Sequence, residues 1–145
     1  MTDRGAAAPT PLPTPSVSAV GPYSPAVRAG DWIVCSGQIG LDPTTGKLVE
    51  GGLVAQARQA LTNLAAVLAD CGCGWDDVAK VNLFVAADGA ASMPEVNALY
   101  QATLRAARPA RSTVGVAWLP MGALFEIEVW AYRPVDPPSA RGMST

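Results

Sequence analysis

Residues 124–132 have the sequence LFEIEVWAY, and the predicted sheet can be built outward from them. Apolar residues stand at every second position, and the side chains of a β-strand alternate between the two faces of a sheet. One of the two faces is apolar throughout and consists of Phe125, Ile127, Val129 and Ala131. The other face carries Glu126 and Glu128 beside Trp130 and Tyr132. The pattern predicts a strand that packs its apolar face against helices and presents two carboxylates on its opposite face.

The remaining periodic segments predict the partners of this strand. Strands are expected at residues 26–28, 32–36, 78–85 and 112–118, with short extended pieces on either side of a turn at residues 42–46. Apolar residues at three- and four-residue spacings predict helices over residues 53–70 and 93–103. Gly72 is placed to end the first helix, and Ser92 with Glu95 matches a capping box at the start of the second. The predicted fold class is therefore α+β: one mixed sheet with two helices on one face, and another subunit covering the other face.

Composition excludes several classes of protein. The chain has 145 residues, and at roughly 150 residues per domain this length predicts one domain. Hydrophobic residues make up 50% of it and the mean hydropathy is +0.23, so a packed core is expected. The net charge is −2 and no basic run occurs, which argues against nucleic acid as a partner. Because histidine is absent from the sequence, histidine-based triads and histidine-ligated metal sites are excluded.

The ends of the chain and its cysteines carry further expectations. Alternating prolines predict a flexible leader over residues 1–16, and residues 135–145 predict a flexible tail, which leaves residues 17–134 as the folded domain. The three cysteines offer no second pair to complete a zinc site, so no metal is expected. No signal peptide and no membrane-spanning stretch is recognised in the sequence. We therefore expect a soluble, cytoplasmic protein.

Two charged residues stand out as candidates for chemistry. Residues 112–125 contain no charged residue, so Glu126 lies in an apolar neighbourhood, where a carboxyl group either is paired or has a raised pKa suited to proton transfer. Arg111 begins the preceding predicted strand and can bind a carboxylate through two hydrogen bonds. A structural ion pair between Arg111 and Glu126 or Glu128 is the competing interpretation. Gly37, just after a strand, allows either close approach of a ligand or a bulge.

Five segments, in order along the chain, resemble the signatures of the RidA family, also called YjgF or reactive intermediate deaminase. The segments are GPYSPAV at residues 21–27, SGQIGLDP at residues 36–43, QARQALTNL at residues 56–64, RPARSTV at residues 108–114, and Leu119-Pro120 followed by Glu126-Ile127-Glu128. The resemblance covers residues 17–134. It implies a chorismate-mutase-like α+β fold, assembled as a homotrimer with three clefts between subunits.

The resemblance also implies an activity: hydrolysis of reactive enamines and imines such as 2-aminoacrylate to 2-keto acids and ammonia, without metal or organic cofactor. This is the activity of a 2-iminobutanoate/2-iminopropanoate deaminase. By resemblance, Arg111 binds the substrate carboxylate and Glu126 positions or activates the attacking water. The remaining cleft positions implied by the resemblance are Tyr23, Ser36, Gly37, Asn97 and the main chain of Thr113. Glu128 is interpreted as a structural partner.

Some residues depart from the family pattern, and other functions compete with the first. Met121 stands where a lysine is usual and Trp130 where a small residue is common, so both are expected to alter the cleft and its substrate preference. One alternative is a trimeric protein that binds or senses a 2-keto acid or a similar small carboxylate. Another is a pathway-specific hydrolase for a larger imine. Endoribonuclease activity, implied by an older family name, ranks last because the chain is acidic and lacks histidine.

Overall fold

The computed structural model describes residues 7–86 and 88–136. Within these residues, seven strands form one sheet, and two α-helices lie between strands along the chain. The strands are β1 (Thr10–Pro11), β2 (Ala26–Ala29), β3 (Trp32–Cys35), β4 (Gln38–Ile39), β5 (Val78–Ala86), β6 (Ala110–Val116) and β7 (Phe125–Tyr132); the helices are α1 (Gly52–Asp70) and α2 (Met93–Leu104). The sheet order is β1-β2-β3-β7-β5-β6, and β4 pairs with β7 beyond the end of β3. Only the β5–β6 pair is parallel, so the sheet is mixed, as predicted.

The core lies between the sheet and the two helices. The alternating residues of β7 are fully buried, from Phe125 through Ala131, as the sequence pattern predicts. The apolar stripe of α1 packs on this face, with Ala57, Leu61, Leu64 and Leu68 all buried. The α+β architecture with two helices on one sheet face is confirmed.

The opposite face of the sheet carries large exposed aromatic side chains. Trp130 is 47% exposed, and Trp32 and Tyr132 meet edge to face with ring centroids 5.1 Å apart. Edge strand β6 is exposed along most of its length. A second subunit that covers this surface, as in a homotrimer, stays a prediction.

The first helix ends as predicted, whereas the second does not begin as predicted. Gly72 has a φ of +74°, and the amide of Cys73 donates to the carbonyl of Leu68, which is the hydrogen-bond pattern of a glycine C-terminal cap. The prediction of a capping box at Ser92 is wrong, since the Ser92 side chain makes no hydrogen bond to the first turn of α2. A 3₁₀ turn at Gly89–Ser92 leads directly into α2, so Ser92 already has a helical φ of −86°. The extended backbone that an N-cap serine requires is therefore missing.

The beginning of the chain departs from the predicted leader at residues 10–16. Thr10–Pro11 pairs with β2, and both the amide and the hydroxyl of Ser16 donate to the carboxylate of Asp70 at 2.9 and 2.8 Å. The physical reason is that β2 would otherwise leave an open strand edge, where proline is tolerated because one side of an edge strand needs no donor. The outermost parts of the predicted leader and tail, residues 1–6 and 137–145, lie outside the described residues. Within the described ranges, no helix combines the length and the apolar character needed to span a membrane.

Candidate active site

Glu126 lines a cavity at the junction of β3, β4 and β7, which we call the Glu126 cavity. Its volume is about 280 Å³. The lining consists of Val20, Tyr23, Ser36, Gly37, Ile39, Pro120, Glu126 and Glu128. Four residues that the sequence nominates from three separate segments, Tyr23, Ser36, Gly37 and Glu126, therefore line one cavity.

Backbone hydrogen bonds hold the segment that faces Glu126. Ser36 follows β3; its amide donates to the carbonyl of Pro25 at 2.9 Å and its hydroxyl donates to the carbonyl of Ser24 at 2.6 Å. A Cβ atom built on Gly37 would lie 1.8 Å from Oε1 of Glu126 and 2.7 Å from its Cδ. Only glycine therefore lets the backbone approach the Glu126 carboxyl this closely. The contact is with the protein's own side chain, so it decides neither for close approach of a ligand nor for a bulge at Gly37.

The environment of Glu126 disfavours its charged form. The side chain is half-buried, and this burial raises the pKa of its carboxyl; the negative charge of nearby Glu128 raises that pKa further. Glu128 itself accepts a hydrogen bond from the side-chain amide of Asn82 at 3.1 Å. This contact agrees with the interpretation of Glu128 as a structural partner, although Glu128 also lines the cavity. Glu126 thus keeps its proton to a higher pH than an ordinary glutamic acid.

Two polar residues of α1 make hydrogen bonds to backbone groups at or next to the Glu126 cavity, and sequence reasoning missed both. Gln56 and Asn63 are 7% and 5% exposed. The side-chain amide of Asn63 donates to the carbonyls of Ile39 and Leu41, at 3.2 and 2.8 Å. The side-chain oxygen of Gln56 accepts from the amide of Leu124 at 2.8 Å, two residues before Glu126. The signal that could have found them is their position, since both fall in the otherwise apolar stripe of α1.

Arg111 lies on the other side of the sheet. Val81 of β5 pairs with Arg111 on one side and with Val129 on the other, and directly paired residues share a face, so Arg111 faces the helices. Its guanidinium lies over the ring of Tyr100 in α2, 4.9 Å from the centroid. A cavity of about 270 Å³, which we call the Arg111 groove, is lined by Asn97, Tyr100, Gln101, Arg108 and Arg111.

Thr113 borders a neighbouring cavity on the same side of the sheet. It pairs with Leu83, which also pairs with the buried Ile127, so its side chain shares the helix face with Arg111. The cavity holds about 380 Å³, and Met93 and Val116 also line it. The predicted site residues therefore divide into two sets: Tyr23, Ser36, Gly37 and Glu126 around one cavity, and Asn97, Arg111 and Thr113 along the groove side.

The ion-pair interpretation of Arg111 is wrong for the chain as described. Glu126 pairs with Phe84, whose other partner is the exposed Val114, so the carboxyl and the guanidinium point to opposite faces of the sheet. Within the described residues, 7–86 and 88–136, there is one salt bridge. It joins Nη1 of Arg133 to Oδ1 of Asp77 at 3.5 Å. The described chain therefore holds two candidate half-sites, one with the carboxyl group of Glu126 and one with the cationic guanidinium of Arg111.

Comparison with known proteins identifies the family. The family model described as Endoribonuclease L-PSP matches residues 14–133. The mouse 2-iminobutanoate/2-iminopropanoate deaminase is 42% identical over 120 residues, which cover 83% of this chain and 87% of the mouse protein. The chain belongs to the RidA/YjgF family.

Solved structures of RidA/YjgF relatives share the fold. A Rid family protein from Yersinia pestis, YyfA, is 40% identical and superimposes with a TM-score of 0.80 over 86% of this chain and 99% of that one. TdcF of E. coli, solved with bound serine, is 32% identical with a TM-score of 0.75 over 86% and 98% of the two chains. The family expected from the five sequence segments is thus confirmed, and so is the α+β fold with two helices on a mixed sheet.

The two departures from the RidA/YjgF pattern lie in different places. Met121 follows Pro120, which lines the Glu126 cavity, and it is 55% exposed with a φ of +58°. Trp130 lies opposite Val34 and Lys80 in the sheet. It stands four residues beyond Glu126 on β7, a spacing of about 13 Å along a strand. Trp130 is among the lining residues of neither the Glu126 cavity nor the Arg111 groove, so these cavities do not support its expected effect on substrate preference.

Proposed function

We propose that this chain is an imine deaminase that hydrolyses 2-imino acids and their enamine tautomers, such as 2-aminoacrylate, to 2-keto acids and ammonia. The observation that carries the proposal is the half-buried Glu126 carboxyl, which faces the backbone at Gly37 with a raised pKa. The naming of relatives at 42% identity as 2-iminobutanoate/2-iminopropanoate deaminases supports the same reaction class. TdcF, with its bound serine, accommodates an amino acid of similar size to 2-aminoacrylate.

The residues suffice for the chemistry. Hydrolysis adds water to the C=N bond of the imine and expels ammonia, which leaves a C=O bond in its place. In the proposed roles, Arg111 binds the substrate carboxylate and protonated Glu126 donates a proton to the substrate. The resulting carboxylate of Glu126 then removes a proton from the attacking water. A raised pKa suits a group that must both donate and accept a proton near neutral pH.

The two half-sites require a second copy of the chain to meet. We propose that the protein is a homotrimer in which the Glu126 cavity of one subunit faces the Arg111 groove of its neighbour. Supporting this, Arg111 and Glu126 lie on opposite faces of the sheet within one chain. Exposed apolar residues along and after β6, Val114 at 45% and Trp118 at 76%, offer a surface for such an interface.

The activity is tested with 2-aminoacrylate generated in situ from serine by a serine dehydratase, with release of ammonia or pyruvate as the readout. We expect the wild type to accelerate release and Arg111→Ala to abolish the acceleration while the fold is retained. Glu126→Gln should keep binding of a 2-keto acid and lose hydrolysis. If Arg111→Ala hydrolyses at the wild-type rate, Arg111 does not belong to the site; if the wild type has no effect, a larger imine or a binding role replaces the proposal.

The proposed cleft between subunits is tested by mixing inactive variants. When Arg111→Ala and Glu126→Gln chains are co-refolded in equal amounts, a cleft is intact if each subunit contributes its undamaged half, which occurs in about a quarter of clefts. We expect the mixture to regain about a quarter of the wild-type activity. The matched control mixes Glu126→Gln with Gly37→Ala, whose damage lies in the same half, and should restore none. No return of activity in the first mixture would place both residues in a site within one chain.

The same measurements separate the competing functions. A protein that only binds or senses a 2-keto acid would bind it in the wild type and in Glu126→Gln alike, and neither would accelerate hydrolysis. RNA binding would weaken steeply as salt rises, whereas turnover of a small imine would change little. Cytoplasmic location stays a prediction.

A further inference from the structure

Arg108 lines the Arg111 groove beside Arg111 itself. Its Nη1 donates to the backbone carbonyl of Arg105 and, at 2.8 Å, to that of Ala107. These bonds hold one edge of the guanidinium against the end of α2, and the exposed side chain keeps its remaining N–H donors for other partners. Two guanidinium groups therefore border one cavity of about 270 Å³.

The charge of this region contrasts with the charge of the whole chain. The net charge is −2, yet residues 96–125 contain three arginines, Arg105, Arg108 and Arg111, and no acidic residue. Neither Arg108 nor Arg111 forms a salt bridge within the described part of the chain, where the one pair is Arg133 with Asp77. Two neighbouring guanidinium groups without a carboxylate attract an anion, and two such groups attract a dianion best.

The groove also contains a polar group without a partner. The hydroxyl of Tyr100 is buried and has no hydrogen-bond partner within the described residues. The same tyrosine lines the groove and lies under the guanidinium of Arg111. Buried polar groups are nearly always paired in native proteins, so this hydroxyl is expected to gain a partner when the groove is covered or occupied.

We propose that Arg108 forms a second anion subsite, so that the preferred substrates are 2-imino acids with an additional carboxylate on the side chain. The inference rests on the proposed function, in which Arg111 binds the carboxylate next to the imine carbon. Arg108 and Arg111 are three residues apart, which places their Cα atoms at most about 10 Å from each other. Both side chains border the same cavity, so a four- or five-carbon dicarboxylate can contact both guanidinium groups.

Two imines that differ in the second carboxylate test the subsite. One is 2-aminoacrylate from serine, and the other is iminosuccinate, generated from aspartate by aspartate oxidase. We expect the wild type to have the higher kcat/KM for iminosuccinate. The kcat/KM for iminosuccinate divided by that for 2-aminoacrylate should fall about tenfold in Arg108→Gln, because one charge-assisted hydrogen bond to the second carboxylate is lost. Arg105→Gln removes the same charge but keeps the carbonyl that Arg108 contacts, and should leave the ratio unchanged.

A binding measurement that needs no turnover completes the test. Calorimetry with 2-oxoglutarate and with 2-oxobutanoate should show a preference for 2-oxoglutarate that Arg108→Gln loses, Arg108→Lys retains in part, and higher salt weakens. An unchanged ratio and an unchanged preference in Arg108→Gln would overturn the subsite but leave the deaminase intact. Failure of the wild type to hydrolyse either imine, with the binding preference retained, would instead reject the proposed function alone.

Two further outcomes would also reject the subsite. A different oligomeric state of Arg108→Gln in light scattering would assign Arg108 to a contact between subunits. Displacement of 2-oxoglutarate from the wild type, but not from Arg108→Gln, by a short single-stranded RNA would assign the arginines to phosphate binding.

Discussion

The Glu126 cavity and the Arg111 groove are built in opposite ways. Next to the cavity, the buried side chains of Asn63 and Gln56 in α1 make hydrogen bonds to the backbone. Asn63 donates to the carbonyls of Ile39 and Leu41, and Gln56 accepts from the amide of Leu124, so the backbone near Glu126 is held in place. Along the groove, Arg111 begins an exposed edge strand and contacts one aromatic ring. The acid half is thus organised within the chain before any ligand arrives.

This contrast matches the different roles proposed for Glu126 and Arg111. A catalytic carboxyl needs a fixed position and a controlled pKa, which partial burial and buried hydrogen bonds provide. A group that binds a carboxylate must remain accessible and without an internal partner, and an edge strand provides this. Substitutions that damage the cavity should therefore affect stability and catalysis together, whereas those in the groove should affect substrate binding, and turnover through it, with little change in stability.

The largest effect is expected at Asn63. Asn63→Leu removes the donors to the carbonyls of Ile39 and Leu41, and at roughly 1–3 kcal/mol for each unsatisfied buried group the free energy of unfolding should fall by about 3 kcal/mol. The matched control is Asn97→Leu in the exposed groove, which should change it by less than about 0.5 kcal/mol. Urea denaturation measures both. An equal loss of unfolding free energy in the two variants would contradict the view that the Glu126 cavity is more firmly held by the fold than the Arg111 groove.

A smaller but still large effect is expected at Gly37. Gly37→Ala places a Cβ 1.8 Å from Oε1 of Glu126, so the carboxyl must move. A shift of about 1 Å in a catalytic group can cost on the order of a hundredfold in rate, and we expect a fall of that size in kcat/KM. Gly74→Ala is the control, since a Cβ added at Gly74 would meet no atom of the described residues within 4 Å and the φ of Gly74 is −138°. Wild-type kinetics in Gly37→Ala would mean that the position of the Glu126 carboxyl does not matter for turnover.

The smallest effect is expected at Glu128. Its negative charge raises the pKa of Glu126, so Glu128→Gln should lower that pKa. The limb of the kcat/KM profile that follows the Glu126 carboxyl should then move to lower pH. Glu95→Gln, which removes the same charge from α2, should leave the profile in place. A limb that moves to higher pH in Glu128→Gln, or does not move, would contradict this account of the Glu126 pKa.

Much of the fold, and the identity of most site residues, could be predicted from the sequence. The alternation in residues 124–132 places Phe125 in the core and Glu126 on the opposite face, as the structure has it. The glycine stop after α1 follows from Gly72 in the same way. The roles of Gln56 and Asn63 could not be predicted, because their partners are backbone groups that lie far away in sequence.

The helices, the family and every strand except β1 could be predicted from the sequence, because periodicity and family segments depend on residues close together in the chain. The face of the sheet that Arg111 occupies could not be predicted in this way and follows from the strand pairing in the folded chain. That face depends on the pairing of Val81 with Arg111, thirty residues apart, and a shift of one residue in this register would move every side chain of β6 to the other face. The division of the candidate site into two halves is therefore a property of strand register.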